Sequence, residues 1–221
     1  MQAKELIRAT ANTKIYLDMD GVLADFFHEY AKMAGVNDYR SIPPASADPT
    51  LDKMVGTDFF SRLPKFPTTD TLVKLALRYT KTYNICSSPL RNDYENSAKW
   101  KRLWIKKNLM PQPAEIIITA NKESHAVNPD GSPNILIDDR GVNIVAWRAR
   151  GGIGIKYQAD EDSLEKVANG LSMAFNQLDE VDVRYSLYPR LTKQFIIGQP
   201  YGKKNLKVPH ARYVDKVKNE S

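Results

Sequence analysis

The chain has 221 residues, 42% hydrophobic and 26% charged, the balance of an ordinary globular protein with room for one full core and an insertion. No apolar run approaches the roughly 18 residues of a membrane span, and the single cysteine, Cys86, excludes an intrachain disulfide. The formal charge of +6 is uneven: residues 184–221 hold nine Lys/Arg against Asp215 and Glu220, which leaves residues 1–183 close to neutral.

The first legible element is a strand over 14–18, and it carries the strongest chemical signal. Ile15-Tyr-Leu runs directly into Asp18-Met-Asp20, where Gly21 permits a sharp turn. Carboxylates two residues apart on a strand share one face, so Asp18 and Asp20 can serve one small site. A hard cation such as Mg²⁺ takes carboxylate and carbonyl oxygens of this kind and keeps water or phosphate as its other ligands.

Phe26–Ala34 has helical spacing, with Phe26, Phe27, Tyr30, Ala31 and Ala34 as its apolar positions. Residues 35–66 then break the pattern with repeated Gly and Pro. A stretch of that length is too long for a bare loop and reads as a small helical insertion. Within it, Asp58-Phe-Phe-Ser-Arg-Leu63 supplies aromatic rings that could lean over the site.

Thr69–Tyr79 reads as a helix, followed by the strand Tyr83-Asn-Ile-Cys-Ser-Ser88, which ends in two hydroxyls. Asn96–Asn108 is a second helix, with Trp100, Leu103, Trp104 and Lys107 at helical spacing and its lysines expected in solvent. Ile116–Ile118 is a strand with Lys122 just past its end, and Ile135-Leu-Ile-Asp138-Asp139 is another that ends in paired acids. Asn143–Arg150 reads as a short helix, Ile153–Tyr157 as a fifth strand and Ser163–Leu178 as an amphipathic helix. Short strands over 185–188 and 194–197 complete the reading. Alternating strands and helices argue for an α/β sheet. In such sheets ligands bind beyond the carboxyl ends of the strands, so four ends bearing acids, hydroxyls and a cation describe one site.

With Asp18-Met-Asp-Gly-Val-Leu-Ala-Asp-Phe26, Ile85-Cys-Ser-Ser-Pro-Leu90, Thr119-Ala-Asn-Lys122 and Leu136-Ile-Asp-Asp-Arg140 in order, the chain resembles the haloacid dehalogenase (HAD) superfamily of phosphotransferases. Within it, the 5′(3′)-deoxyribonucleotidases are the nearest match, over residues 14–157. The resemblance implies a three-layer Rossmann-like α/β core formed by residues 1–25 and 67–180. Its parallel sheet would have strand order 5-4-1-2-3, with a small helical cap over 26–66. Residues 181–221 form a basic C-terminal extension that the resemblance does not cover.

The resemblance also implies roles. Asp18 would be the nucleophile that accepts the phosphoryl group, and Asp20 the acid and then the base. Mg²⁺ would lie among Asp18, the Asp20 carbonyl, Asp139 and Asp138, with Asp139 the direct ligand of the pair. Ser87 and Ser88 would meet phosphate oxygens, Lys122 would neutralise phosphate and nucleophile, and Arg91 would add a basic phosphate contact. Phe26 would line the base pocket. Asp25 and Asp93 read as a helix-start acid and a cap, and His28, His125 and His210 lack ligand spacing.

The function expected is Mg²⁺-dependent hydrolysis of nucleoside monophosphates in the cytoplasm. Residues 137–148 and the basic tail also fit a polynucleotide 3′-phosphatase, and a nucleic-acid-binding protein that keeps the fold is a third reading. The tail fits equally a solvated edge or a contact between two copies of the chain, as in a homodimer.

Overall fold

A computed structural model describes residues 7–175. Its centre is β1 (Ile15–Leu17), a three-residue strand buried on both faces. β2 (Asn84–Ser87) and β4 (Ile135–Asp138) flank it, β3 (Ile116–Ile118) lies outside β2, and β5 (Ile153–Lys156) lies outside β4. All neighbours are parallel, giving the order β3-β2-β1-β4-β5. Read from the other edge, this is the 5-4-1-2-3 order expected. Uninterrupted apolar strands such as Ile-Tyr-Leu and Ile-Leu-Ile suit a sheet covered on both sides.

Helices cover both faces. Alternate residues of β5 point oppositely: Gly154 lies against Ile144 of α5 (Gly141–Ala149), whereas Ile155 lies against Gly170 of α6 (Leu164–Ala174). The α5 face is closed by Tyr16, Cys86, Leu136 and Trp147, so Cys86 is a packing residue. On the other face α6 contacts α3 (Thr69–Ala76). The chain is thus a three-layer α/β fold.

Between β1 and α3, the stretch over 26–66 is helical, as its punctuation suggests. α1 (Phe26–Ala34) occupies the expected range, and the Asp25 carboxylate caps it by accepting from the His28 N–H at 3.2 Å. α2 (Pro44–Asp52) follows, with 3-10 turns at Tyr39–Ser41 and Phe59–Arg62.

One strand-to-helix junction fixes the geometry beyond the carboxyl end of β1. The Met19 carbonyl accepts N–H groups from Val22, Leu23 and Ala24, winding the chain into a tight loop directly after β1. Gly21 sits in that loop at φ +72°, and a β-carbon there would lie 2.7 Å from the Phe27 ring and 3.1 Å from the Asp139 carboxyl carbon. Only glycine meets both demands.

Helix ends shift by a few residues. The helix expected over 69–79 stops at Ala76, and the one expected from Asn96 starts at Tyr94 (α4, Tyr94–Asn108). Residues 185–188, 194–197 and the basic tail lie outside the described residues, as do 176–178 at the end of the helix expected over 163–178. No helix among the described residues is long and apolar enough to cross a membrane.

Gly21→Ala should therefore lower unfolding stability by about 1–3 kcal/mol, from positive-φ strain and the clash together. Denaturant titration, read at constant m-value, measures this.

Candidate active site

The carboxyl ends of the central strands converge. Asp18 follows β1, Ser87 ends β2, Asp138 ends β4 and Asp139 comes next; all four are buried. Lys122 opens the 3-10 turn after β3 (Lys122–His125) and is 3% exposed. Its ammonium donates to Asp18 Oδ2 at 2.8 Å and to Asp138 Oδ2 at 2.6 Å. The other Asp18 oxygen accepts the Met19 N–H at 2.7 Å. Asp138 is further held by the Arg140 N–H at 2.8 Å and by the Asn143 amide, 3.0 Å from each of its oxygens.

Asp139 differs from its neighbour. Among the described residues its carboxylate accepts no hydrogen bond and has no ion-pair partner, yet it is 7% exposed. Burial, with Asp18 and Asp138 alongside, pushes its carboxyl up to about 8. Asp18, Asp138 and Asp139 each offer an oxygen within 4.8 Å of the others'. A buried, mutually repelling set of oxygen donors, one of which has no protein partner among the described residues, is a fit for a single hard divalent cation.

Ionisation divides the acids. Burial acts to raise the Asp18 carboxyl, but Lys122 and then Lys101 overcome it, so Asp18 lies below the usual carboxylate range. Asp20 goes the other way: burial and the nearby Asp18 charge outweigh Lys101 and hold it above that range. Two carboxyls two residues apart, pushed in opposite directions, form a pair suited to nucleophile and proton-donor roles.

Lys101 was not expected here. The sequence pattern of α4 put Trp100, Leu103, Trp104 and Lys107 on one face and its lysines in solvent. The buried face is instead Ser97, Ala98, Lys101, Trp104 and Ile105, while Leu103 is 47% exposed. Trp100 is half-buried, its indole N–H bonded to the Asn96 side chain at 2.9 Å. Lys101 is 1% exposed, its ammonium 2.5 Å from Asp20 Oδ2 and 3.2 Å from Ser87 Oγ. The legible signal was apolar residues three before and three and four after it (Ala98, Trp104, Ile105), a stripe that runs through the lysine.

The remaining expected residues make other contacts. Phe26 belongs to an aromatic cluster, stacked on Tyr30 at 5.5 Å and on Phe60 at 6.3 Å, with Phe59 edge-on at 6.0 Å. Ser88 is half-buried. Arg91 is turned to the insertion, pairing with Asp48 at 2.7 Å and Asp52 at 3.6 Å on α2. His28 and His125 are in no metal-ligating group; His210 lies outside the described residues.

No protein-family model matches the chain, and no curated protein matches it. Solved structures do resemble it in outline. A HAD family enzyme from Bacteroides thetaiotaomicron, solved as a magnesium complex, is 20% identical with a TM-score of 0.39, covering 69% of this chain and 96% of that one. A HAD-superfamily hydrolase from Ehrlichia chaffeensis is 15% identical with a TM-score of 0.44, covering 77% and 100%. A haloacid dehalogenase-like hydrolase from Streptococcus pneumoniae is 14% identical with a TM-score of 0.41, covering 81% and 99%. At such distances the reading of the site rests on this chain's own geometry.

The acid shifts give a stability profile. A carboxyl raised in the folded state stabilises below its unfolded value and loses that contribution as pH rises through its folded value, so Asp139 destabilises the metal-free protein progressively from about pH 4 to about pH 8. Asp18, lowered, acts oppositely and loses its contribution only in acid. The thermal midpoint of metal-free protein should fall between about pH 5 and about pH 8, and a divalent cation should restore it. Asp139→Asn should flatten the slope and weaken cation binding at least about tenfold, as read by thermal shift and calorimetry.

Proposed function

We propose that the protein is a Mg²⁺-dependent phosphatase of the HAD superfamily that hydrolyses nucleoside monophosphates, deoxyribonucleotides among them, through an aspartyl-phosphate. The observation that carries this reading is the buried carboxylate set: Asp18 held ionised by Lys122, with Asp138 and Asp139 within 4.8 Å.

Mg²⁺ fits that set, and when bound it supplies positive charge that offsets the carboxylates and polarises phosphoryl oxygens. Asp139 would be the direct ligand of the acidic pair, because both Asp138 oxygens already accept from Lys122, Asn143 and the Arg140 N–H. Asp18 and the Asp20 carbonyl complete the protein's share.

The reaction divides between the two N-terminal acids. An Asp18 oxygen bonds to phosphorus as the ester P–O bond breaks and its electron pair leaves on the ester oxygen. That oxygen takes the Asp20 proton, giving the free nucleoside and an aspartyl-phosphate. Water then gives a proton to Asp20 and attacks phosphorus, the bond to Asp18 breaks, and inorganic phosphate leaves. Lys122 stays beside Asp18 throughout and stabilises the transferring group's charge, while the Ser87 and Ser88 hydroxyls meet its oxygens.

A small substrate is favoured by the enclosure. Asp18 is 4% exposed, and rings from the insertion (Phe26, Phe59, Phe60) cluster together, with Phe60 4.5 Å from the ammonium of Lys101, which bonds Asp20. A flat base suits such a cluster, with Phe26 as its stacking wall. Arg91 serves here to tie α2 to the loop after β2 through Asp48 and Asp52.

Phosphate release from 5′- and 3′-mononucleotides and from a 3′-phosphorylated oligonucleotide tests the proposal. Deoxymononucleotides should be turned over only with Mg²⁺, and Asp18→Asn should reduce kcat by about 10³-fold or more. Turnover of the oligonucleotide alone would move the assignment to nucleic-acid ends, and release from none would overturn it.

A further inference from the structure

We infer that Lys101 is a positioning residue for the proton donor, fixing Asp20 so that one carboxyl oxygen is left to meet the leaving group. This rests on the phosphatase reading above and extends it to a residue with no role there.

Lys101 reaches Asp20 from the middle of α4, 81 residues away in the chain, and makes a 2.5 Å contact with Oδ2. Asp20 Oδ1, by contrast, is shielded from solvent and has no hydrogen-bond partner among the described residues. An unpartnered buried carboxyl oxygen is costly, so one beside a nucleophilic aspartate marks a place that a substrate group fills. Clamping Oδ2 sets the carboxyl's rotation and so aims Oδ1. The same ammonium is 3.2 Å from Ser87 Oγ, which joins the donor to the hydroxyl proposed for the phosphate.

Lys101 is itself held in place. Its ammonium lies 4.5 Å from the centroid of the Phe60 ring, which belongs to the 3-10 turn at Phe59–Arg62 in the insertion. Two further contacts fasten α4 to that segment: the Trp104 indole N–H donates to the Leu63 carbonyl at 2.7 Å, and the Asn96 amide donates to the Thr57 carbonyl at 2.9 Å. Residues 57–63, seated on α4, thus help to hold the lysine that aims Asp20. Lysine suits the task because a compact ammonium can bond a carboxylate and a hydroxyl and still lie over a ring, whereas methionine of similar length has neither charge nor donor for the carboxylate.

The test uses leaving-group dependence, which a merely structural residue would not move. A misaimed proton donor slows expulsion of a poor leaving group such as a nucleoside alkoxide, but hardly affects p-nitrophenolate, which departs without a proton. Values of kcat/KM isolate this bond-breaking step from later hydrolysis of the aspartyl-phosphate. Lys101→Met should lower kcat/KM for a deoxynucleoside monophosphate by about 10²-fold and for p-nitrophenyl phosphate by less than about fivefold, the same pattern as Asp20→Asn. Lys101→Arg keeps the charge and should show the same selectivity, reduced, which decides the matter if the methionine variant does not fold. Equal losses on both substrates, or no loss, would overturn the inference while leaving the phosphatase reading intact. A wild-type protein inert on both substrates would instead overturn that reading, and the inference with it.

Discussion

One ammonium group makes the site's charge arrangement sustainable. Three carboxylates with oxygens within 4.8 Å are buried at the end of the sheet, and Lys122 donates to two of them. At about 4 Å, two like charges repel by about 4 kcal/mol even at an effective dielectric of 20, so the set needs a fixed countercharge. Lys122 supplies it on a short turn after β3, and the Asn143 amide and Arg140 N–H complete the Asp138 environment from α5. The burden left over falls on Asp139, which has no partner among the described residues and is pushed up to about 8. That imbalance is the physical case for a cation.

The rest of the fold follows from holding these groups at one end. A three-residue strand in the centre of a parallel sheet has few degrees of freedom, since both neighbours fix its register. The loop wound on the Met19 carbonyl then brings Asp20 back beside Asp18, and the Ala159 N–H bonds Gly21 from the segment after β5. The insertion is fastened on two sides. Arg91 pairs with Asp48 and Asp52 of α2, while Arg40 pairs with Glu161 and the Gln158 amide reaches the Tyr39 hydroxyl. The ion-pair partners are largely exposed, so each ion pair adds little by itself, and the apolar contacts of Phe59, Phe60 and Leu63 do more of the holding.

What the sequence made legible was whatever local pattern controls. Strands that are buried on both faces must be apolar throughout, so the polar residues where Ile15-Tyr-Leu and Ile135-Leu-Ile end stand out against them. Asp18, Ser87, Lys122, Asp138 and Asp139 were all readable on that ground, as was the helical character of 26–66. Lys101 was not. A helix shows its buried face only through a stripe of apolar residues, and α4 carries large side chains on two faces. Trp100 and Leu103 drew the stripe the wrong way, and a buried lysine reads as a gap in it. The direction of Arg91 was hidden for a related reason: its partners come from α2, whose placement depends on tertiary packing that local spacing does not encode.

In the proposed reaction Asp18 carries the phosphoryl group. Acid quenching during turnover of a ³²P-labelled nucleoside monophosphate, followed by peptide mapping, tests it most directly. The account predicts label on the peptide that contains Asp18, released by hydroxylamine and absent in Asp18→Asn. Turnover that leaves the protein unlabelled, together with inversion of configuration at phosphorus, would mean that water attacks the substrate directly and would contradict the account.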